Sequence, residues 1–168
     1  MAPIPRAAAA KGLSYRPLTE ADVPFVEAVY VSTRTDEVAA TGWPADMQLQ
    51  FLRDQFRLQH SHYQQQYGDA DWLIIERDGS AVGRLYLDES PDQLHIIDIA
   101  LLPDQRGGGF GTAILSDLLE DARDASKKVS IFVEKNNPAL TLYHRLGFES
   151  KEDHGPYQFM TWIPSPVS

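Results

Sequence analysis

Cysteine is absent from the 168 residues. Without it there is no disulfide framework, no thiolate-held zinc and no cysteine nucleophile. Long apolar runs are missing too. No stretch approaches the ~20 residues that span a bilayer, so a membrane is not an expected partner. Residues 1–12 read as a flexible lead, because residues 1–11 are rich in Ala and Pro but lack the Leu, Ile or Val run of a signal peptide. Together these features fit a cytoplasmic protein. Basic residues are scarce: 15 Lys and Arg stand against 24 Asp and Glu, a formal charge of −9. Phosphate backbones draw clustered cations, so nucleic acid is not an expected partner either. The same imbalance suits a cationic acceptor such as an amine, while acidity also serves solubility alone.

What is present reads as one α+β domain over residues 13–164, with 165–168 as a tail. The length is enough for a single buried core. Residues 13–17 form a short strand. Thr19 and Asp22 resemble a helix cap, and Pro24 falls in the first turn of a helix carrying Phe25, Val26, Val29 and Tyr30. Thr41-Gly42-Trp43-Pro44 breaks the chain before a second helix from about Asp46 to Gly68. Residues 72–76 and 81–87 are strands joined at Asp78-Gly79, a strong hairpin signal. Residues 94–102 are almost wholly apolar, which places that strand centrally in a sheet. A helix over 112–125, a strand over 129–133, a short helix over 139–146 and a final hairpin complete the chain.

The strongest local signal is strand, Gly-rich turn, helix: Arg106-Gly107-Gly108-Gly109-Phe110-Gly111-Thr112. Glycines allow a tight turn and close backbone approach. The helix start offers free N–H groups and the positive end of a dipole, an anion site suited to pyrophosphate. A dinucleotide fold would place such a loop after the first strand of a βαβ repeat, and a P-loop would end in Gly-Lys-Ser/Thr. Neither pattern is met. A purely structural turn stays open at this level.

The stretch from Ile99 to Thr112 resembles the core motif of the GNAT superfamily of N-acetyltransferases, with Arg106, Gly109 and Gly111 at its Arg/Gln-x-x-Gly-x-Gly positions. Asn136-Asn137-Pro138-Ala139, then Tyr143 and Gly147-Phe148, resemble that family's second element at the right distance. The resemblance implies a mixed, mostly antiparallel sheet splayed after the fourth strand and flanked by helices. It implies acetyl-CoA as co-substrate and no metal. Pantetheine would lie along Ala100, Leu101 and Leu102, pyrophosphate on Arg106 to Thr112, and Asn136 would reach in from the other side. It also carries the expectation of a homodimer, by analogy alone.

By similarity, Tyr143 is the expected proton donor to the departing sulfur. Many members place a Glu base on the central strand; here His95 and Asp98 are offered instead. Side chains alternate along a strand, so these two face opposite sides unless a bulge intervenes. Acceptor selection in the family comes from the first two helices. There lie Asp36, Glu37 and Trp43, and Gln55, Gln59 and His62 at i, i+4, i+7, with Tyr63 beside them. The expected activity is acetylation of a small-molecule or amino-acid-like amine. A protein or peptide acceptor, and a non-catalytic acyl-CoA sensor, are the alternatives.

Overall fold

The computed structural model describes residues 3–164. The expected tail, 165–168, lies outside them. A short helix α1 (Ala7–Ala10) precedes β1 (Leu13–Pro17). Helices α2 (Val23–Ala39) and α3 (Ala45–Gln66) follow, then β2 (Asp71–Arg77), β3 (Ser80–Glu89) and β4 (Gln93–Leu101). The chain continues through α4 (Phe110–Asp124), β5 (Lys128–Glu134), α5 (Leu140–Arg145), β6 (Glu149–His154) and β7 (Tyr157–Trp162). The strands form one sheet in the order β1-β2-β3-β4-β5-β7-β6. All neighbours are antiparallel except β4 and β5.

Local chemistry sets the punctuation. Asp78 (φ 51°) and Gly79 (φ 87°) are both left-handed, which is what a two-residue hairpin turn needs. At the entry to α2, the Asp22 carboxylate accepts the Thr19 N–H at 2.8 Å and its hydroxyl at 3.0 Å. Arg16 clamps the same carboxylate with two nitrogens, each at 2.8 Å. This bidentate pair holds the Asp22 acid well below the usual carboxylate range.

The sheet buries two different faces. On one, Leu85, Leu87, Leu94 and Ile96 pack against Ile114, Leu115 and Leu118 of α4, with Tyr143 and Phe148 closing the far side. On the other, Ile74 meets Val26 and Tyr30 of α2 and Leu52 and Phe56 of α3.

Two irregularities in β4 position the site. First, β4 pairs with β5 only over residues 93–96 against 128–131. Beyond that, β4 stays on β3 as far as Leu101, and β5 stays on β7 as far as Glu134. The sheet therefore opens in the middle, as the resemblance implies. Second, Tyr86 lies opposite Asp98 but Leu87 lies opposite Ile96, so Ile97 is an extra residue, a bulge.

Residues 3–12, within the segment read as a lead, carry α1, which packs on α4. The Asp117 carboxylate, almost wholly buried, accepts the N–H groups of Arg6, Ala7 and Ala8 at 2.9, 2.8 and 3.0 Å. It thereby serves the otherwise unpaired amides at the start of α1. Arg6 adds a 2.9 Å ion pair to Asp121, and Ala8 is fully buried.

Candidate active site

The Gly-rich loop ends in α4, whose N-cap is Gly109 at φ 79°. A side chain there would be strained in the left-handed region. The first helical bond runs from Ala113 N–H to Gly109 O at 3.0 Å. The amides of Phe110, Gly111 and Thr112 precede it and have no intrahelical acceptor. A Cβ added at Gly107 or Gly111 would meet nothing within 4 Å, so the backbone is open to a ligand. Arg77 lies 4.8 Å over the Phe110 ring and fixes the helix start. Arg106 is exposed and turns back to the Leu101 carbonyl at 3.1 Å. Lys11, unnoticed in the sequence, reaches the same loop and donates to Gly108 O at 3.3 Å.

The opening between β4 and β5 begins beside this loop. Residues 98–101 of β4 pair with β3 only, which leaves one backbone edge of Ala100 and Leu101 without a strand partner. Gly83 allows the tight approach on the β3 side: a Cβ there would lie 2.3 Å from Ala100 O.

On the α2/α3 side the bulge at Ile97 resets the alternation. His95 and Asp98, expected on opposite faces in a regular strand, now share one. Asp98 forms an ion pair with Arg84, which is 3% exposed. Arg84 also donates to Gln59 Oε1 at 3.3 Å and lies 5.3 Å over the Tyr86 ring and 6.0 Å over the Tyr30 ring. Three tyrosines feel the Asp98 charge. Burial first, and Asp98 next, push the Tyr143 phenol well above its usual range. Tyr63 rises for the same two reasons. Burial takes Tyr86 up to about 12, with Arg84 pulling against it and Asp98 adding to it. All three are therefore proton-bearing groups at neutral pH.

His95 sits lower, where the strands are still joined. Its Nδ1 shares a 2.8 Å hydrogen bond with Ser130 Oγ, and its ring packs between Tyr67 at 5.8 Å and Phe132 at 5.7 Å. Burial pushes its imidazole below the ordinary range, against a weaker opposing pull from Asp88.

The expected acceptor residues divide. Gln59 and Tyr63 join the Asp98 group. Glu37 pairs with Arg34 at 3.3 Å, and Arg34 pairs with Glu134 at the end of β5. With Asn136 and Tyr157 these residues line a cleft of about 400 Å³. Gln55 is exposed but accepts the Tyr30 hydroxyl at 3.3 Å. His62 is exposed, with its ring 6.4 Å from Tyr63. Trp43 is exposed and stands edge-on to Phe51 at 5.4 Å. Neither is brought to Asp98. Arg84 was missed; its signal was a lone Arg inside the apolar run of β3.

Among the described residues no cluster of three or more His, Asp or Glu side chains could hold a metal ion. No helix among them is long and apolar enough to cross a membrane.

Known proteins are similar to this chain. The chain is 31% identical to a mycothiol acetyltransferase of Streptomyces griseus over 87 residues, 48% of this chain and 28% of that protein. It is 33% identical to an uncharacterised N-acetyltransferase of Methanocaldococcus jannaschii over 90 residues, 48% of this chain and 40% of that protein. The chain thus matches less than half the length of either relative. A PaiA N-acetyltransferase of Thermoplasma acidophilum, solved with coenzyme A, has the same fold at a TM-score of 0.65 and 16% identity, over 90% of this chain and 98% of that one. The profile of the acetyltransferase (GNAT) family matches residues 39–148, and with two thirds of its length so matched, the chain belongs to that family.

Proposed function

We propose that the chain moves an acetyl group from acetyl-CoA to the amine of a small-molecule or amino-acid-like acceptor. One observation carries this reading: β4 and β5 part beyond Ile96 and Ile131, and the parted strand carries the Asp98 carboxylate, paired with Arg84, and leads into the amide-bearing start of α4. The coenzyme A in the Thermoplasma structure supports the choice of donor.

The residues fit that donor. The amides of Phe110, Gly111 and Thr112 and the α4 dipole suit a pyrophosphate, and Gly107 and Gly111 leave it room. Arg106 and Lys11 supply cations beside the loop. The unpaired edge at Ala100 and Leu101, with Leu102 after it, offers backbone partners to the amides of pantetheine, and Asn136, which follows the end of β5, is the expected partner from the other side. When bound, acetyl-CoA supplies an activated carbonyl and a sulfur leaving group.

The chain's own groups manage the protons. Asp98 takes the proton of the attacking nitrogen. Tyr143, held protonated by burial, gives its proton to the departing sulfur. An N–C bond forms and a C–S bond breaks, and the proton gained at Asp98 and that lost at Tyr143 balance through solvent. His95, tied to Ser130 in the joined part of the strands, braces the wall below Asp98. Gln59, Tyr63 and Glu37 border the acceptor side.

Calorimetry with coenzyme A, and thiol release from acetyl-CoA with a panel of amines, amino-acid derivatives and peptides, test this reading. Micromolar uptake and release with small amines support it. Faster turnover of peptides assigns a protein acceptor instead. Uptake with no release from any amine overturns the transferase reading in favour of a sensor.

A further inference from the structure

We infer that Arg84 is a positioning residue for the transfer: it holds the Asp98 carboxylate at the β4 bulge, aimed into the parting of β4 and β5, for the incoming amine. This rests on the acetyltransferase reading above and adds a residue outside both motif stretches, 99–112 and 136–148.

Register supplies the first argument. Across the sheet, Trp72, Tyr86 and Asp98 stand in one row, and Ile74, Arg84 and Ala100 in the next. Arg84's direct neighbour on β4 is therefore the small Ala100. Its guanidinium passes over that residue to the diagonal neighbour, which long side chains can reach. Without the extra residue Ile97, the parity of β4 below Asp98 would be reversed and the Arg84–Asp98–His95 side would not exist as one face.

Burial supplies the second. Arg84 is 3% exposed while the side chain of Asp98 is 22% exposed, so the cation is sealed behind an anion that still meets solvent. A buried ion pair is weak support for stability, because desolvation of the charges offsets their attraction. A guanidinium retained only for folding would also use its donors. Here Nε, and the neighbouring Tyr86 hydroxyl, are buried without a well-formed hydrogen bond. Gln59, the Asp98 carboxylate and the faces of Tyr30 and Tyr86 hold the group. Those contacts fix its direction, and through it the direction of the carboxylate.

The test uses the whole chain and the amine that turns over best. In Arg84→Met, kcat falls about 10- to 100-fold, as a misplaced reacting group predicts, while KM for acetyl-CoA and the calorimetric affinity for coenzyme A stay within about twofold. Arg84→Lys, which keeps the charge but not the fork, recovers kcat to within about tenfold of the unsubstituted chain. In Asp98→Asn the loss is at least as large, and the double variant Arg84→Met/Asp98→Asn is no slower than Asp98→Asn alone, because the two act as one unit. Unchanged kcat in Arg84→Met, a lysine variant as slow as the methionine one, or losses that multiply in the double variant each overturn the assignment. Should the methionine variant lose its cooperative melt, Arg84→Gln replaces it and the lysine variant decides. An unsubstituted chain that binds coenzyme A yet turns over no amine sinks the transferase reading itself, a result distinct from any of these.

Discussion

The two faces of the sheet are built from the same strands but follow opposite rules. Under α4, neighbouring strands present Leu85, Leu87, Leu94 and Ile96, and the helix answers with Ile114, Leu115 and Leu118. Asp117, the one charged residue buried on α4, has three backbone N–H donors. Under α2 and α3, the same strands present Arg84, Tyr86, His95 and Asp98, and three buried polar atoms there, Arg84 Nε, the Tyr86 hydroxyl and His60 Nδ1 of α3, lack a well-formed partner. Among the described residues the α4 face leaves one buried polar atom, the Tyr15 hydroxyl, without a well-formed partner, whereas the face that gathers three such atoms around an ion pair is the one where chemistry is done.

The contrast can be broken in several ways. The largest expected effect is on rate: Tyr143→Phe lowers kcat by about 10²- to 10⁴-fold, roughly 3–5 kcal/mol of barrier, with little change in melting temperature. A folded variant of normal rate would remove Tyr143 from the proton transfer. In the core under α4, Leu115→Ala lowers unfolding free energy by about 2–5 kcal/mol, since its side chain is buried and a cavity remains. Denaturant titration measures it, and kcat per folded molecule stays the same. A parallel loss of kcat would mean that the core under α4 and the site are not separable.

A smaller loss follows at the docked N-terminal helix. Asp117→Ala strips three amides of their acceptor and costs about 1–3 kcal/mol, with faster hydrogen exchange at residues 6–8. The smallest effect is a pH slope. Burial lowers the His95 pKa below its unfolded value of ~6.5. Its neutral form therefore supports the fold fully above ~6.5, and that support is lost as pH falls from there through the folded pKa. His95→Gln flattens the fall in melting temperature over that window. His60, lowered by burial and by Arg84, leaves a residual slope. An unaltered slope would show that His95 is not the group being charged.

Element order was legible because its signals are local. Asp78-Gly79, Thr19 with Asp22, and the glycines before α4 each dictate a conformation within a few residues. The donor loop was legible for the same reason. The acceptor side was harder. Helical spacing grouped Gln55, Gln59 and His62, but the face turned to the sheet runs through Phe56, Gln59, His60, Tyr63 and Tyr67. Period alone gives a stripe and not its phase relative to a sheet. The bulge at Ile97 belongs to a pairing between two strands, so neither strand announces it. Asp117 acts on residues 110 positions away, and its partners cannot be read from its neighbours. Arg84 was missed although its signal was local: a charge inside the run Val82 to Leu87 is visible in one strand and asks for a partner.

The joint between β4 and β5 spans only four residue pairs. Mechanically the sheet is two leaves, β1–β4 and β5–β7, on a short spine. A molecule lying in the crease and bonding to both leaves acts as a splint, restoring across the upper half the stiffness that backbone pairing gives below. Occupancy of the crease should therefore be felt as slower amide exchange on β7 and β3, strands that a ligand in the crease need never touch.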